Sequence, residues 1–98
     1  MKINNLTYDI VEVDEFEQDK NLIGLTDYTN QKIFLLKSLS NEQKLLTLKH
    51  ELTHAFLWAY GFGSIVHKLS NETVCDFVAI YSKEINNLAE KYMEKNND

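Results

Sequence analysis

The sequence predicts an α+β domain in which a short antiparallel three-stranded sheet comes first and two helices follow. Up to residue 36, short segments rich in β-branched and aromatic residues alternate with polar stretches, as is typical of strands. From residue 40 onward, apolar residues recur at helical spacing. The 98 residues include no proline and no repeat, so we expect a single domain over residues 1–98.

Three segments are candidates for strands: Leu6 to Val13, Leu22 to Tyr28, and Lys32 to Leu36. The residues Thr29 to Gln31 predict a hairpin turn between the second and third strands, with a positive φ at Asn30. The acidic stretch Glu12 to Lys20 follows the first strand. We interpret it as a solvated loop or a short helical turn rather than an acidic recognition element.

The first helix is predicted to begin after Ser40, because Ser40 and Gln43 fit a capping box. One apolar stripe consists of Leu45, Leu48, Leu52, Ala55 and Ala59, and a neighbouring one of Leu46, His50, Thr53 or His54, and Leu57. A helix that is apolar over so wide an arc is expected to be buried, with its histidines in a sheltered place. Gly61 and Gly63 are expected to end it.

The second helix is predicted to begin at Ser70 or Asn71, either of which can cap it. Its expected core stripe is Val74, Phe77 or Val78, Tyr81, Ile85, Leu88 and Tyr92. The tail from Lys95 to Asp98 is expected to fray.

The first helix contains the sequence His50-Glu51-Leu52-Thr53-His54. The two histidines are four residues apart, so their imidazoles point to the same side of the helix. Two nitrogens in this arrangement can hold one zinc ion, and Glu51 can reach a water on that metal as general base. The motif therefore predicts hydrolysis by zinc-activated water, rather than an accidental spacing on a helix surface.

A catalytic zinc site needs a third protein ligand. The extended motif with a further glycine and histidine is excluded, because Leu57 and Tyr60 occupy those positions. A glutamate from the following helix remains, which favours Glu72 as a metal ligand over an acid placed only to suit the helix dipole. Asp76 lies one turn further on and is predicted to orient a ligating histidine from the second shell, the alternative being a surface acid.

Two other side chains near these positions could take part in a metal site or in catalysis. His67, in the loop between the helices, is a candidate transition-state stabiliser, although a solvated loop histidine is the commoner case. Cys75 is expected to pack as a small apolar residue, with metal ligation as the alternative.

These segments resemble a known family. His50 to His54 followed by Asn71 to Asp76 is similar to the thermolysin-type gluzincin signature, and the strand–strand–helix–helix order resembles ImmA/IrrE-like metallopeptidases of phages and mobile elements. The resemblance includes Gly24 to Tyr28 and Ile33 to Leu35, and it covers about two thirds of the chain. The sequence departs from that family's pattern at Thr53, where glycine is frequent. It implies a minimal zincin-like domain with an active-site helix and a second, ligand-bearing helix.

Composition excludes several other classes. The formal charge of −5 argues against a nucleic-acid partner. A single cysteine cannot form an internal disulfide, and no segment is apolar for long enough to be a signal peptide or to span a membrane. We therefore expect a cytoplasmic protein without a membrane partner.

The predicted function is zinc-dependent metallopeptidase, with a protein or peptide as substrate. The segment Lys32 to Leu36 is expected to pair with an extended substrate if it is an edge strand. Because the chain has no large second lobe, a partner protein or a second copy is expected to complete the cleft. Two alternatives remain open: a non-catalytic, zinc-stabilised interaction or regulatory module of phage type, and a hydrolase of non-peptide amides.

Overall fold

The computed structural model describes residues 1–63, 65 and 68–96, and within them the strands precede two helices, as the α+β prediction requires. The strands are β1 (Lys2–Ile3), β2 (Leu6–Thr7), β3 (Asp9–Val13), β4 (Gly24–Asp27) and β5 (Lys32–Leu36). The helices are α1 (Asn41–Ala59) and α2 (Asn71–Asn96). β1 and β2 form a small antiparallel sheet, and the other three strands form a second sheet in the order β3-β5-β4.

The first predicted strand, Leu6 to Val13, is divided at Tyr8. β2 pairs with β1 through a turn in which Asn4 and Asn5 have φ values of 46° and 69°. Asparagine adopts this left-handed conformation more readily than most residues. β3 pairs with β5 instead. The prediction of one continuous strand was wrong because both halves carry strand-forming residues, and only their different tertiary partners separate them.

The three-stranded sheet is mixed rather than antiparallel, which corrects the prediction. β4 and β5 form the expected antiparallel hairpin, with Thr26 opposite Ile33. β3 and β5 run parallel, with Val11 opposite Phe34. β5 is therefore central and β4 lies at an edge. The side-chain pattern of a strand shows which residues share a face, but it does not determine which strand lies beside it or in which direction.

The hairpin turn differs from the prediction in one residue. The positive φ, 54°, is at Gln31 and not at Asn30. Asn30 instead donates from its backbone and side-chain nitrogens to the Asp27 carboxylate, at 3.1 and 2.9 Å. These bonds compete with the left-handed conformation that an asparagine would otherwise take in the turn.

Helix α1 begins as predicted, since Ser40 is its N-cap and the Ser40 hydroxyl accepts a hydrogen bond from the Gln43 amide at 3.2 Å. It ends at Ala59, and Gly61 follows with a φ of 91°, a conformation that glycine adopts without strain. Its inner side, formed by Leu48, Leu52, Ala55 and Phe56, is fully buried against the sheet residues Ile33 and Leu35.

Helix α2 is capped by Ser70, whose hydroxyl accepts from the Thr73 amide at 3.2 Å. Phe77 and Ile85 are buried as predicted, and Ala89 and Met93 complete the inner face. The predicted core stripe also included Val74 and left Val78 as an alternative to Phe77, but both valines are exposed. Of the predicted frayed tail, Lys95 and Asn96 are still helical, and residues 97–98 lie outside the described residues.

Aromatic contacts and one polar network join α2 to the rest of the chain. Tyr81 packs on Phe56 and Tyr60, with ring centroids 5.9 and 4.5 Å apart. At the other end of the helix, Tyr92 donates to Glu12 of β3 at 2.6 Å, and Lys44 of α1 makes an ion pair with the same carboxylate at 2.7 Å. Glu12 therefore connects the sheet to both helices, and α2 runs back along α1.

No helix within the described part of the chain is both long and apolar enough to cross a membrane.

Candidate active site

His50 and His54 lie one turn apart on the same side of α1. Their ring centroids are 4.9 Å apart and the rings meet edge to face. Both side chains are exposed, so the prediction of a sheltered position was wrong. The second apolar stripe is buried only in part: Leu57 packs against the core, but Leu46, one turn before His50, is 70% exposed. Only the first stripe faces the sheet, and this leaves the imidazoles accessible to a ligand.

Glu51 points in a different direction from the two histidines. Its side chain is turned toward β4 and is only 8% exposed. The hydroxyl of Thr26, on β4, donates to Glu51 Oε1 at 2.7 Å. The same hydroxyl lies 3.2 Å from the Glu51 backbone oxygen. The carboxylate is thus held between α1 and the edge strand.

Gly24 allows β4 to approach α1 this closely. A Cβ atom at Gly24 would lie 2.7 Å from the Thr47 methyl carbon, and 3.1 Å from Glu51 Oε2. The first distance is far below an ordinary van der Waals contact, so any larger residue would push the strand and the helix apart. A glycine is needed here for space and not for an unusual backbone conformation.

Two cavities lie along β4, one on each side of Glu51. The larger, about 460 Å³, is lined by Leu22, Ile23, Leu46 and Thr47 together with His50. The smaller, about 270 Å³, is lined by Leu25, Thr26, Tyr28 and His54. Gly24 and Glu51 line both. The two cavities thus share Gly24 and Glu51, each also contains one histidine of the motif, and together they are called the cleft.

Tyr28 contributes a phenol to the smaller cavity. Its ring stacks on Trp58, with centroids 4.7 Å apart. Burial raises the pKa of Tyr28, and the nearby charge of Glu51 raises it further. The phenol therefore keeps its proton at neutral pH and can act as a hydrogen-bond donor in the cleft.

The roles of Gly24, Thr26 and Tyr28 were not among those predicted from the sequence. They are alternate residues, so an extended segment places all three side-chain positions on one face. That spacing is a signal that could have been found. Its meaning depended on knowing that this face packs against Glu51, which only the fold shows.

The remaining predicted site residues are not brought into this cleft as one cluster. Glu72 and Asp76 lie in the first turns of α2, and both are exposed. Among the described residues, no three histidine, cysteine, aspartate or glutamate side chains form a group that could hold a metal ion. His67 lies outside the described residues. Cys75 is exposed, so its predicted packing role was wrong.

The residues present fit a zinc site in part. His50 and His54 are an accessible pair of imidazoles, which are common zinc ligands, and Glu51 lines the same two cavities as they do. Glu72 as the third ligand remains a prediction. Comparison of the chain with protein-family models, curated proteins and solved structures found no match.

Proposed function

We propose that this protein is a zinc-dependent metallopeptidase in which Glu51 is the general base. The observation that carries the proposal is the position of the Glu51 carboxylate. It is buried on the wall of a cleft, next to an edge strand, and both cavities that it lines also contain a histidine of the motif. Burial of a carboxylate is costly, which supports a role for Glu51 beyond an accidental His-Glu-x-x-His spacing.

The two histidines and the glutamate of the motif have separate roles in this proposal. His50 and His54 would hold the zinc ion, which supplies water of lowered pKa and a positive charge that polarises the peptide carbonyl. Glu51 accepts the proton of the attacking water as the water oxygen bonds to the carbonyl carbon. Glu51 then returns the proton to the leaving amine when the C–N bond breaks.

The edge strand is the proposed substrate-pairing element, and this changes the strand that the sequence suggested. Lys32 to Leu36 forms β5, which is central and pairs on both sides, so it cannot bind a peptide. β4 has one free edge, and it borders the cleft. An extended peptide hydrogen-bonded to β4 would gain affinity through its main chain, with little dependence on sequence.

The third ligand is proposed to be Glu72, in agreement with the order of residues in the sequence. Its position at the start of α2 follows directly on the connection after α1. A partner protein or a second copy that covers the exposed histidines is the other source of a ligand, and it would also complete the open side of the cleft.

One experiment with three variants tests these assignments. Purified protein is incubated with zinc and dialysed, and then its metal content and its cleavage of a quenched-fluorescence peptide library are measured. Glu51→Gln should lose at least about 100-fold in turnover while keeping its zinc, because the general base contributes on that order. Glu72→Ala should lose zinc. Glu42→Gln, an exposed glutamate in the first turn of α1, is the matched control and should behave as wild type.

Each outcome has a definite meaning. Full activity in Glu51→Gln would remove Glu51 from the mechanism, and unchanged zinc in Glu72→Ala would remove Glu72 from the ligands. Zinc retention without any turnover by the wild type would overturn the peptidase proposal.

A non-catalytic, zinc-stabilised interaction module is the second candidate. It is favoured by the exposed apolar side chains of α2, Val74, Val78 and Ile80, which offer a surface for another protein. In that case zinc should raise the melting temperature of wild type and Glu51→Gln equally, and neither should cleave a peptide.

A further inference from the structure

We infer that Thr26 is the positioning residue for Glu51, fixing which of the two carboxylate oxygens faces the reacting water. The inference rests on the proposed function, since it specifies how the general base of that reaction is oriented. Thr26 is on β4 and Glu51 is on α1, so the contact joins residues 25 positions apart in the chain.

The hydrogen-bond geometry assigns Oε1 to Thr26. A threonine hydroxyl has one proton, and here it has two possible acceptors, Glu51 Oε1 at 2.7 Å and the Glu51 backbone oxygen at 3.2 Å. The carboxylate oxygen is both nearer and charged, so it receives the stronger bond. The Glu51 backbone oxygen already belongs to the hydrogen-bond ladder of α1. Oε1 is therefore engaged by the protein.

Oε2 remains for the substrate side. The described residues give Oε2 no hydrogen bond. It lies next to Gly24, and a Cβ added to Gly24 would be 3.1 Å from it. Because Gly24 has no Cβ, the space next to Oε2 is left open on that side. Since Thr26 is β-branched, its own χ1 angle is restricted, and the donor is rigid. The bond from this rigid donor to Oε1 holds the carboxylate in one orientation, with a lone pair of Oε2 available to a water in the cleft.

Orientation of a base matters for rate because proton transfer requires the accepting oxygen within hydrogen-bond reach of the proton. A misplacement of about 1 Å can cost on the order of 100-fold. Loss of the Thr26 hydroxyl should therefore lower kcat, while the binding of substrate along β4 and of zinc at the histidines is unchanged.

The test compares three threonine variants. Thr26→Val replaces the hydroxyl by a methyl group of similar size, and Thr26→Ser keeps the hydroxyl. Thr7→Val is the matched control, because Thr7 is an exposed threonine on a strand, β2, and lines neither of the two cavities. Measurements are kcat and KM for one peptide, zinc content after dialysis, and the Glu51 side-chain couplings by NMR in metal-free protein.

For Thr26→Val we expect kcat to fall about 10- to 100-fold with KM within about threefold of wild type, as when a transition-state interaction is lost. Zinc content should not change, and the Glu51 couplings should show averaging over rotamers. Thr26→Ser should recover kcat to within about threefold of wild type, and Thr7→Val should match wild type.

Three results would overturn the inference. The first is a Thr26→Val enzyme with unchanged kcat. The second is equal loss in Thr26→Val and Thr26→Ser, since the bond would then serve only to join strand and helix. The third is a single Glu51 rotamer retained in Thr26→Val. This last measurement needs no turnover, so it decides the positioning role even if the wild type cleaves no peptide and the proposed function fails.

Discussion

The substitution Gly24→Ala should destabilise the protein through one identifiable contact. Its Cβ would lie 2.7 Å from the Thr47 methyl carbon, whereas ordinary contacts begin at 3.4 Å, so strand and helix must separate by about 0.7 Å. Overpacking of this kind costs about 1–3 kcal/mol. Alanine also restricts the unfolded chain, which offsets about 0.4–1 kcal/mol. We expect a net loss of roughly 1–2 kcal/mol in the free energy of unfolding.

A double-mutant cycle identifies the cause of that loss. Thr47→Ser removes the methyl group that meets the new Cβ, and on its own it should cost about 0.5–1.5 kcal/mol, as for other single buried methyl groups. In the double variant the total cost should be about 1 kcal/mol less than the sum of the two single costs, because the closest contact is gone while those to Glu51 at 3.1 and 3.2 Å remain. The assay is urea denaturation followed by circular dichroism, at constant m-value.

Gly61→Ala supplies the control for this cycle. Gly61 has a φ of 91°, and apart from its chain neighbours none of the described residues has an atom within 4 Å of a Cβ there, so alanine is strained by its backbone. Thr47→Ser should leave the cost of Gly61→Ala unchanged. The reasoning is refuted if Gly24→Ala is as stable as wild type, or if its cost and that of Thr47→Ser are simply additive.

Two further predictions concern polar groups in the interior, the half-buried Glu12 carboxylate and the buried Tyr8 hydroxyl. Hydrogen bonds from Lys44 and Tyr92 lower the pKa of Glu12 below its ordinary 4.5, so Glu12 stabilises the fold above about pH 4.5, and this stabilisation is lost as pH falls through the lowered pKa. Glu12→Gln should lower the free energy of unfolding by about 1.5–3 kcal/mol at pH 7 and by progressively less in acid. The control Glu15→Gln, which removes an exposed ion pair, should lower it by under about 0.5 kcal/mol. Equal losses for the two variants in urea denaturation at several pH values would contradict this. The Tyr8 hydroxyl is buried without a hydrogen-bond partner among the described residues. Tyr8→Phe should therefore leave the melting temperature unchanged or raise it, whereas Tyr92→Phe should lower it by removing the bond to Glu12; a large loss in Tyr8→Phe would show that its hydroxyl is satisfied.

Local features were predictable to the extent that one segment contains their cause. The N-cap at Ser40, the helix end before Gly61, and the shared side of His50 and His54 all depend on residues within a turn or two of each other. Helical geometry alone determines these relations. The exposure of the histidines was not predictable in this way, because Leu46 and Leu57 suggested a second buried stripe, whereas the fold buries Leu57 in part and leaves Leu46 exposed.

The sequence by itself determined the α+β order, the extents of the helices and the two imidazoles on one helix side. The tertiary structure alone decided that β5 is central and parallel to β3, that β4 is the free edge, and that Thr26 holds the Glu51 carboxylate. The physical reason is the range of the interactions. Capping and helical periodicity act over a few neighbouring residues, whereas strand partners and strand–helix contacts join distant residues, whose pairing depends on how the whole chain buries its apolar surface.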